Sequence, residues 1–240
     1  FFIKNMSVLF APFIVGLIVQ KELLFKNLVP IIVIVFISSA FVIILCGIIV
    51  EKGLQYLAQA REKTGLLVIT EVMDTMDISL LCKYADVLQV GARNMQNFKL
   101  LKALGRIKKP VMIKRGPAAT IKEFLLAAEY VVSNGNPNVI LCERGVKSFD
   151  SQFSRNVLDI AAVPIVRKIS HLPIIVDPSH GTGKRYLIEP MGKAALIAGA
   201  HGLMFEVHHD PDNAMCDGAQ SLSIEQFKET TKSFNKLIGR

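Results

Sequence analysis

Six apolar runs along this chain each lead into a charged or metal-binding side chain. LLVIT runs into Glu71, VLQVGA into Arg93, PVMI into Lys114, VILCE into Arg144, PIIVDPS into His180 and GLMF into Glu206. Each run is short, rich in Val, Ile and Leu, and continuously apolar rather than alternating, as a strand reads when both of its faces are buried in a parallel sheet. Amphipathic segments such as 121–133 and 189–200 fall between the runs and predict helices. Strand, polar tip and helix in repetition is the pattern of a (β/α)8 barrel, in which the chemistry gathers at the C-terminal strand ends. Tips repeated in this way predict one shared pocket.

The first fifty residues have a different character. Residues 28–50 carry no charged side chain until Glu51, and 6–19 are nearly as apolar. A run of this length reaches the roughly 20 residues that span a bilayer, and the Lys-bearing QKELLFKN precedes it as a flank. No small-residue cleavage site follows a single compact apolar core, so the segment does not read as a normal signal peptide. Barrel arithmetic points the other way. Six strands are legible after Gly65, a closed barrel of this type needs eight, and the missing two are expected at 7–12 and 31–41. The preferred reading is a single α/β domain over 1–240, a (β/α)8 TIM barrel with an unusually hydrophobic start. A membrane tether at 28–50 stays open as the alternative.

A length of 240 residues suits one such barrel, whose typical size is about 250. The net charge of +8 raises the question of nucleic acid. The Lys and Arg residues are dispersed, however, with no long run and no patch interleaved with aromatics, which argues against DNA or RNA. Cations at strand tips suit a small anionic ligand better. The four cysteines, Cys46, Cys82, Cys142 and Cys216, show no CxxC pairing and read as reduced, mostly buried thiols of a cytoplasmic protein.

Arg93, Lys114 and Arg144 place three cations around one opening, which suits a phosphate and a carboxylate on the same small molecule. Arg offers a planar fork for two oxygens and Lys a compact point charge. His180, Glu206 and Asp217 supply one imidazole and two carboxylates, a donor set for Mn, Fe, Co or Zn. The surrounding DPSHGTGKR adds a Pro-fixed turn and a Gly-rich loop of the kind that brings backbone N–H groups to a phosphate.

The strings QVGARNMQNF, KRGPAATIKEFLLAAEYV, NVILCERG, LDIAAVP, LPIIVDPSHGTGKR and FEVHHDPDNAMCDGAQSL resemble the class I, type Iβ 3-deoxy-7-phosphoheptulonate (DAHP) synthases. The resemblance runs from about Glu51 to the C-terminus. It implies a metal-dependent condensation of phosphoenolpyruvate with erythrose 4-phosphate, the entry step of the shikimate route, by a homo-oligomer. Arg93 and Arg144 would then hold the phosphoenolpyruvate phosphate and Lys114 its carboxylate side, while Glu71 orders a water. His180, Glu206 and Asp217 would be three of four metal ligands, and Lys114, Glu71 and His180 the catalytic set. The sister 3-deoxy-octulosonate-phosphate synthases share the barrel and the phosphoenolpyruvate chemistry. They usually have a different segment in place of GARNMQN and lack the DPSHGTGKR form, so they rank second.

The chain departs from the family pattern near its start. The family's GPCS string, whose Cys is the fourth metal ligand, corresponds to APFI here, with Phe13 at the thiolate position. Its RGGAFKPRTS string corresponds to ISSAFVIILC. Ile37 stands for an Arg that contacts phosphoenolpyruvate, and Val42, Ile43, Ile44 and Leu45 for the Lys-Pro-Arg-Thr that grips the second substrate. The expected consequences are a weakened metal site and a poor hold on erythrose 4-phosphate. A catalytically impaired barrel that still binds phosphoenolpyruvate or a partner is therefore the competing expectation.

Overall fold

The structure, a computed structural model, describes residues 50–239. The expectations for 7–12, 31–41 and 28–49, and for Phe13, Ile37 and Val42 to Leu45, lie outside the described residues. By its internal contacts the chain divides into two compact units, Phe1–Tyr56 and Leu57–Arg240. Within the first, residues 50–56 are helical; the second begins within the same helix, which ends at residue 64 (α1).

The second unit is built on six parallel strands hydrogen-bonded in chain order. They are β1 (Ile69–Glu71), β2 (Val87–Val90), β3 (Val111–Lys114), β4 (Val139–Glu143), β5 (Ile174–Val176) and β6 (Gly202–Leu203). Between and after them run α2 (Ile78–Tyr84), α3 (Phe98–Leu104), α4 (Ile121–Val132), α5 (Ala162–Ile169), α6 (Pro178–Thr182), α7 (Ile188–Ile197) and α8 (Ile224–Leu237). The fold is α/β and of the TIM-barrel kind, and all six apolar runs form the strands expected of them.

Burial follows position in the sheet. Every residue of β3 is buried, and β4 is nearly so. The expectation of two buried faces fails at β1, where Ile69 is exposed along with the preceding Leu66 and Leu67, and at β6, which is only half-buried. Among the described residues these are the two edge strands, so each has a strand neighbour on one side only. In α4, Phe124, Ala127, Ala128 and Val131 form one buried stripe at the spacing of an amphipathic helix. A reciprocal capping box fixes its start: Thr120 Oγ1 accepts from the Glu123 N–H, and Glu123 Oε2 accepts from the Thr120 N–H. Such a cap contributes about 1 kcal/mol. The outer layer is close-packed where α7 meets α8, since a Cβ on Gly192 would sit 2.7 Å from the Phe234 ring.

Below the strand tips, Val87, Met112 and Cys142 form a buried cluster against Ile140, Ile175 and Met204. Alternate residues of a strand share a face, so the next positions up, Lys114 on β3 and Asp177 after β5, stand over this apolar floor. Of the described cysteines, Cys142 is buried, Cys82 half-buried and Cys216 exposed, and all are free thiols. "Mostly buried" thus holds for one of them. Burial pushes the Cys142 thiol well up, with the nearby Asp177 charge adding to it. It is an inert part of the floor.

Candidate active site

A cavity of about 590 Å³ opens at the C-terminal end of the strands. Its lining includes Glu71, Arg93, Lys114, Arg144, His180 and Asp217, six of the seven residues singled out from the sequence. The seventh, Glu206, reaches the site through His180, with its Oε2 3.0 Å from the imidazole Nε2.

The strand tips explain the convergence. Glu71 closes β1, and its Oε2 accepts a hydrogen bond from Gln89 Nε2 on β2 at 3.2 Å. Gly91 leaves room for it in this position, because a Cβ there would overlap the Glu71 carboxylate. Arg93 sits in the short 3-10 turn (Ala92–Asn94) that follows β2. Lys114 is the last residue of β3, and Arg144 follows β4 directly. Among the described residues neither Arg93 nor Arg144 makes a side-chain hydrogen bond or ion pair. Burial depresses the Arg144 guanidinium below its ordinary value, partly offset by the Asp177 charge. An unpartnered, partly buried cation facing a cavity is suited to an anion.

Asp177 joins the two halves of the site. It is fully buried, and one of its oxygens, Oδ2, meets both Lys114 Nζ at 3.0 Å and His180 Nδ1 at 2.8 Å. Its other oxygen, Oδ1, caps α6 by accepting the His180 N–H at 2.9 Å. Burial works to raise the Asp177 carboxyl, but the His180 hydrogen bond and the Lys114 charge outweigh it and hold the group below the usual carboxylate range. Pro178 opens the helix at its first turn and Gly183 closes it at φ 67°, a left-handed cap that favours glycine.

The metal-ligating candidates come together. His180, Glu206 and Asp217 offer atoms that all lie within 4.8 Å of one another. With Nδ1–H directed at Asp177, the imidazole presents Nε2 as a lone pair, an arrangement typical of metal-bound histidine. That lone pair faces a carboxylate oxygen. One imidazole nitrogen and two carboxylates within reach of one another are a donor set that fits a divalent metal. Asp217 takes φ 55°, the only positive φ among the described non-glycine residues, and such strain is commonly stored at functional positions. Its Oδ1 also accepts from Arg155 Nη1 at 3.3 Å.

Several participants were not singled out from the sequence. Asp177 carries a visible signal, being the first polar residue after PIIV and three before His180. Arg115 is adjacent to Lys114 yet points elsewhere, donating from Nη1 to Glu143 and to Asp159, each at 2.8 Å. Lys147, Ser148, Ser151 and Arg155 also line the cavity, and nothing in their local spacing marks them.

Three cations, Arg93, Lys114 and Arg144, thus share one cavity with a His and carboxylate donor set at the strand ends of a TIM-type barrel. Residues 31–239 match the DAHP synthetase I family, and the chain belongs to that family. Among curated proteins, the phospho-2-dehydro-3-deoxyheptonate aldolase of Thermotoga maritima is 52% identical over 78% of this chain and 55% of its own length. The 2-dehydro-3-deoxyphosphooctonate aldolase of Syntrophotalea carbinolica is 34% identical over 76% of this chain and 68% of its own. A solved truncated form of 3-deoxy-D-arabino-heptulosonate 7-phosphate synthase from Thermotoga maritima superposes with a TM-score of 0.76 at 52% identity, covering 78% of this chain and 71% of that one. The chain thus spans only about half the length of the most similar of these curated relatives. Among the described residues no helix is long and apolar enough to cross a membrane.

Proposed function

We propose that this chain is built to condense phosphoenolpyruvate with erythrose 4-phosphate, giving 3-deoxy-7-phosphoheptulonate and phosphate, the first step of aromatic amino-acid synthesis. Arg93 and Arg144 hold the phosphoenolpyruvate phosphate and Lys114 its carboxylate side. Glu71, fixed by Gln89, orders a water near the reacting carbon. His180, Glu206 and Asp217 hold a divalent metal, one of Mn, Fe, Co or Zn, and when bound it supplies Lewis acidity to the aldehyde. Asp177 keeps the Lys114 ammonium and the His180 ring in position from beneath. The reading extends to one barrel over 1–240, acting as a homo-oligomer in the cytoplasm.

One observation carries the proposal: unpartnered Arg93 and Arg144 share a single cavity with Lys114 and with a His/Glu/Asp donor set. The test is calorimetric titration with phosphoenolpyruvate, alone and with Mn²⁺, followed by an assay for the seven-carbon product. Binding that Arg144→Ala weakens by about thirtyfold or more supports the pocket; unchanged affinity in that variant overturns it.

A second reading has its own support in the sequence. Phe13, Ile37 and the Val42 to Leu45 string carry none of the thiolate, cation and hydroxyl groups that the family uses there. On this reading the chain binds phosphoenolpyruvate but turns over poorly, because an aldehyde that is not held near the attacking carbon forfeits a proximity advantage of about 7–11 kcal/mol. Phe13→Cys would then recover metal affinity and little turnover, and turnover would return only with the whole Lys-Pro-Arg-Thr string restored. The octulosonate reaction, supported by relatives at 30–34% identity, is tested in the same assay by substituting arabinose 5-phosphate.

A further inference from the structure

The cavity holds more cations than one three-carbon acid phosphate requires. Besides Arg93, Lys114 and Arg144, it is lined by Lys147 and Arg155, with the hydroxyls of Ser148 and Ser151 between them in sequence. All four come from the loop that joins β4 to α5. At about 590 Å³, the cavity lies in the range of roughly 300–1,000 Å³ that accommodates a drug-sized ligand. A molecule the size of phosphoenolpyruvate fills only part of such a volume.

The loop is anchored rather than loose. Val146 and Val157 exchange two backbone hydrogen bonds of 2.9 Å, which closes it into a hairpin. The Lys147 N–H donates to the Pro117 carbonyl at 2.6 Å and the Arg155 N–H to the Thr182 carbonyl at 2.7 Å. Asn156 Nδ2 donates to the His180 carbonyl at 3.1 Å. Gly145 turns at φ 89°, where a Cβ would press on Asn156. The hairpin is thus tied to the β3 tip on one side and to the metal-donor helix α6 on the other.

Its polar groups are left with capacity to spare. Among the described residues the Lys147 ammonium and the Ser151 hydroxyl bond to nothing. Ser148 Oγ accepts from the Asp150 N–H at 3.2 Å, so its own O–H is free to donate. Arg155 commits Nη1 to Gln220 at 2.7 Å and to Asp217 at 3.3 Å, which leaves its Nε and Nη2. An ammonium with two hydroxyl donors and part of a guanidinium is the chemistry of a phosphate monoester.

We propose that the 145–157 hairpin is a second phosphate subsite, which takes the phosphate of the short aldehyde substrate. It rests on the function proposed above and locates the second anion on residues that neither the family strings nor the apolar start of the chain supplies. Lys147 provides most of the attraction, with Ser148 and Ser151 setting orientation, while Arg155 links the subsite to the metal-donor residue Asp217.

The full chain is first saturated with phosphoenolpyruvate and Mn²⁺ and then titrated calorimetrically with inorganic phosphate, and separately with erythrose 4-phosphate. The expected result is a second anion bound in the presence of the first. Lys147→Ala should raise its dissociation constant at least about tenfold, while that of phosphoenolpyruvate moves less than about twofold. The Ser148→Ala, Ser151→Ala pair should raise it several-fold, and Lys147→Arg should restore most of the loss. Absence of phosphate uptake by the saturated protein, or uptake indifferent to Lys147→Ala, overturns the subsite. Should phosphoenolpyruvate itself fail to bind, the reading of Arg93 and Arg144 falls. The subsite is then judged on the phosphate titration alone, through its sensitivity to Lys147→Ala. Lys147 is exposed, so its replacement leaves folding intact, which circular dichroism and the unchanged phosphoenolpyruvate isotherm both check.

Discussion

β3 and β4 end in neighbouring charged pairs, Lys114–Arg115 and Glu143–Arg144, and the two arginines have opposite fates. Arg115 is buried and saturated: Nη1 reaches Glu143 and Asp159, and Nε donates to the Ala119 carbonyl at 2.9 Å. Burial alone would lower its pKa, but the bonds to Asp159 and Glu143 outweigh that and raise it. Glu143, fully buried, is pushed up by its burial against the pull of Arg115 and of the Gly145 N–H. Arg144 lines the cavity with no partner among the described residues. Identical chemistry one residue from a strand tip serves structure where its hydrogen bonds are complete. Where they are open and face a cavity, it serves binding.

The sharpest way to break this contrast is to compare the stability cost of losing each arginine. Arg115→Met leaves Glu143 buried and charged without its partner, and breaking a buried pair costs about 3–5 kcal/mol. Urea denaturation should show that loss. Arg144→Ala removes a charge that burial already disfavours and should change stability by less than about 1 kcal/mol. If the two variants lose equal stability, saturation is not what separates them.

Affinity should follow the reverse order. Truncating a charged partner of a buried anion costs about 2–5 kcal/mol, so Arg144→Ala should weaken phosphoenolpyruvate by about thirtyfold or more at the calorimeter. Indirect groups come next. Asp177→Asn keeps the shape but weakens the acceptor shared by Lys114 and His180. It should lower Mn²⁺ affinity by about 10–100-fold, as read by electron paramagnetic resonance of free Mn²⁺, and His180→Ala should abolish binding altogether. A Mn²⁺ affinity untouched by Asp177→Asn would mean that the ring is held by its ligand and not by the carboxylate beneath it.

Much of this site was legible because a parallel strand is uniform. Each apolar run has to stop, and Glu71, Lys114 and Arg144 stand where three of the runs do, at the cavity. His180, Glu206 and Asp217 were recoverable as donor types, and the fold brings them within reach of one another. Pairing was harder to read. That Arg115 turns to Glu143 while Lys114 turns to Asp177 depends on the parallel register that sets Lys114 opposite Cys142. No local spacing encodes it. The loop cations Lys147 and Arg155 were invisible for a related reason: their place at the cavity comes from a two-residue bridge, Val146 with Val157, closed by long-range packing. The exposed positions at β1 were missed because an apolar run does not announce how much of it its neighbours cover.

The smallest effect tests whether burial itself sets the scale. Arg61 Nη1 meets Asp86 Oδ1 at 3.0 Å, with side chains 31% and 23% exposed, against 6% and 0% for Arg115 and Glu143. The Val68 N–H donates to Asp86 Oδ2 at 2.9 Å. That bond is the main reason the Asp86 carboxyl is held below its usual value, with burial opposing it and the Arg61 charge adding to it. Because the folded value lies below the unfolded one, near 3.9, the group contributes stability that is present above that pH and is lost as pH falls through the folded value. For a pair this open to water the contribution should stay below about 1 kcal/mol. Asp86→Asn should therefore cost less than that at pH 7 in urea denaturation, and the difference from the parent chain should vanish in acid below the folded pKa. A neutral-pH loss as large as that of Arg115→Met would show that the Val68 bond and the Arg61 pair matter more than their exposure allows, and that burial is not what ranks the ion pairs of this fold.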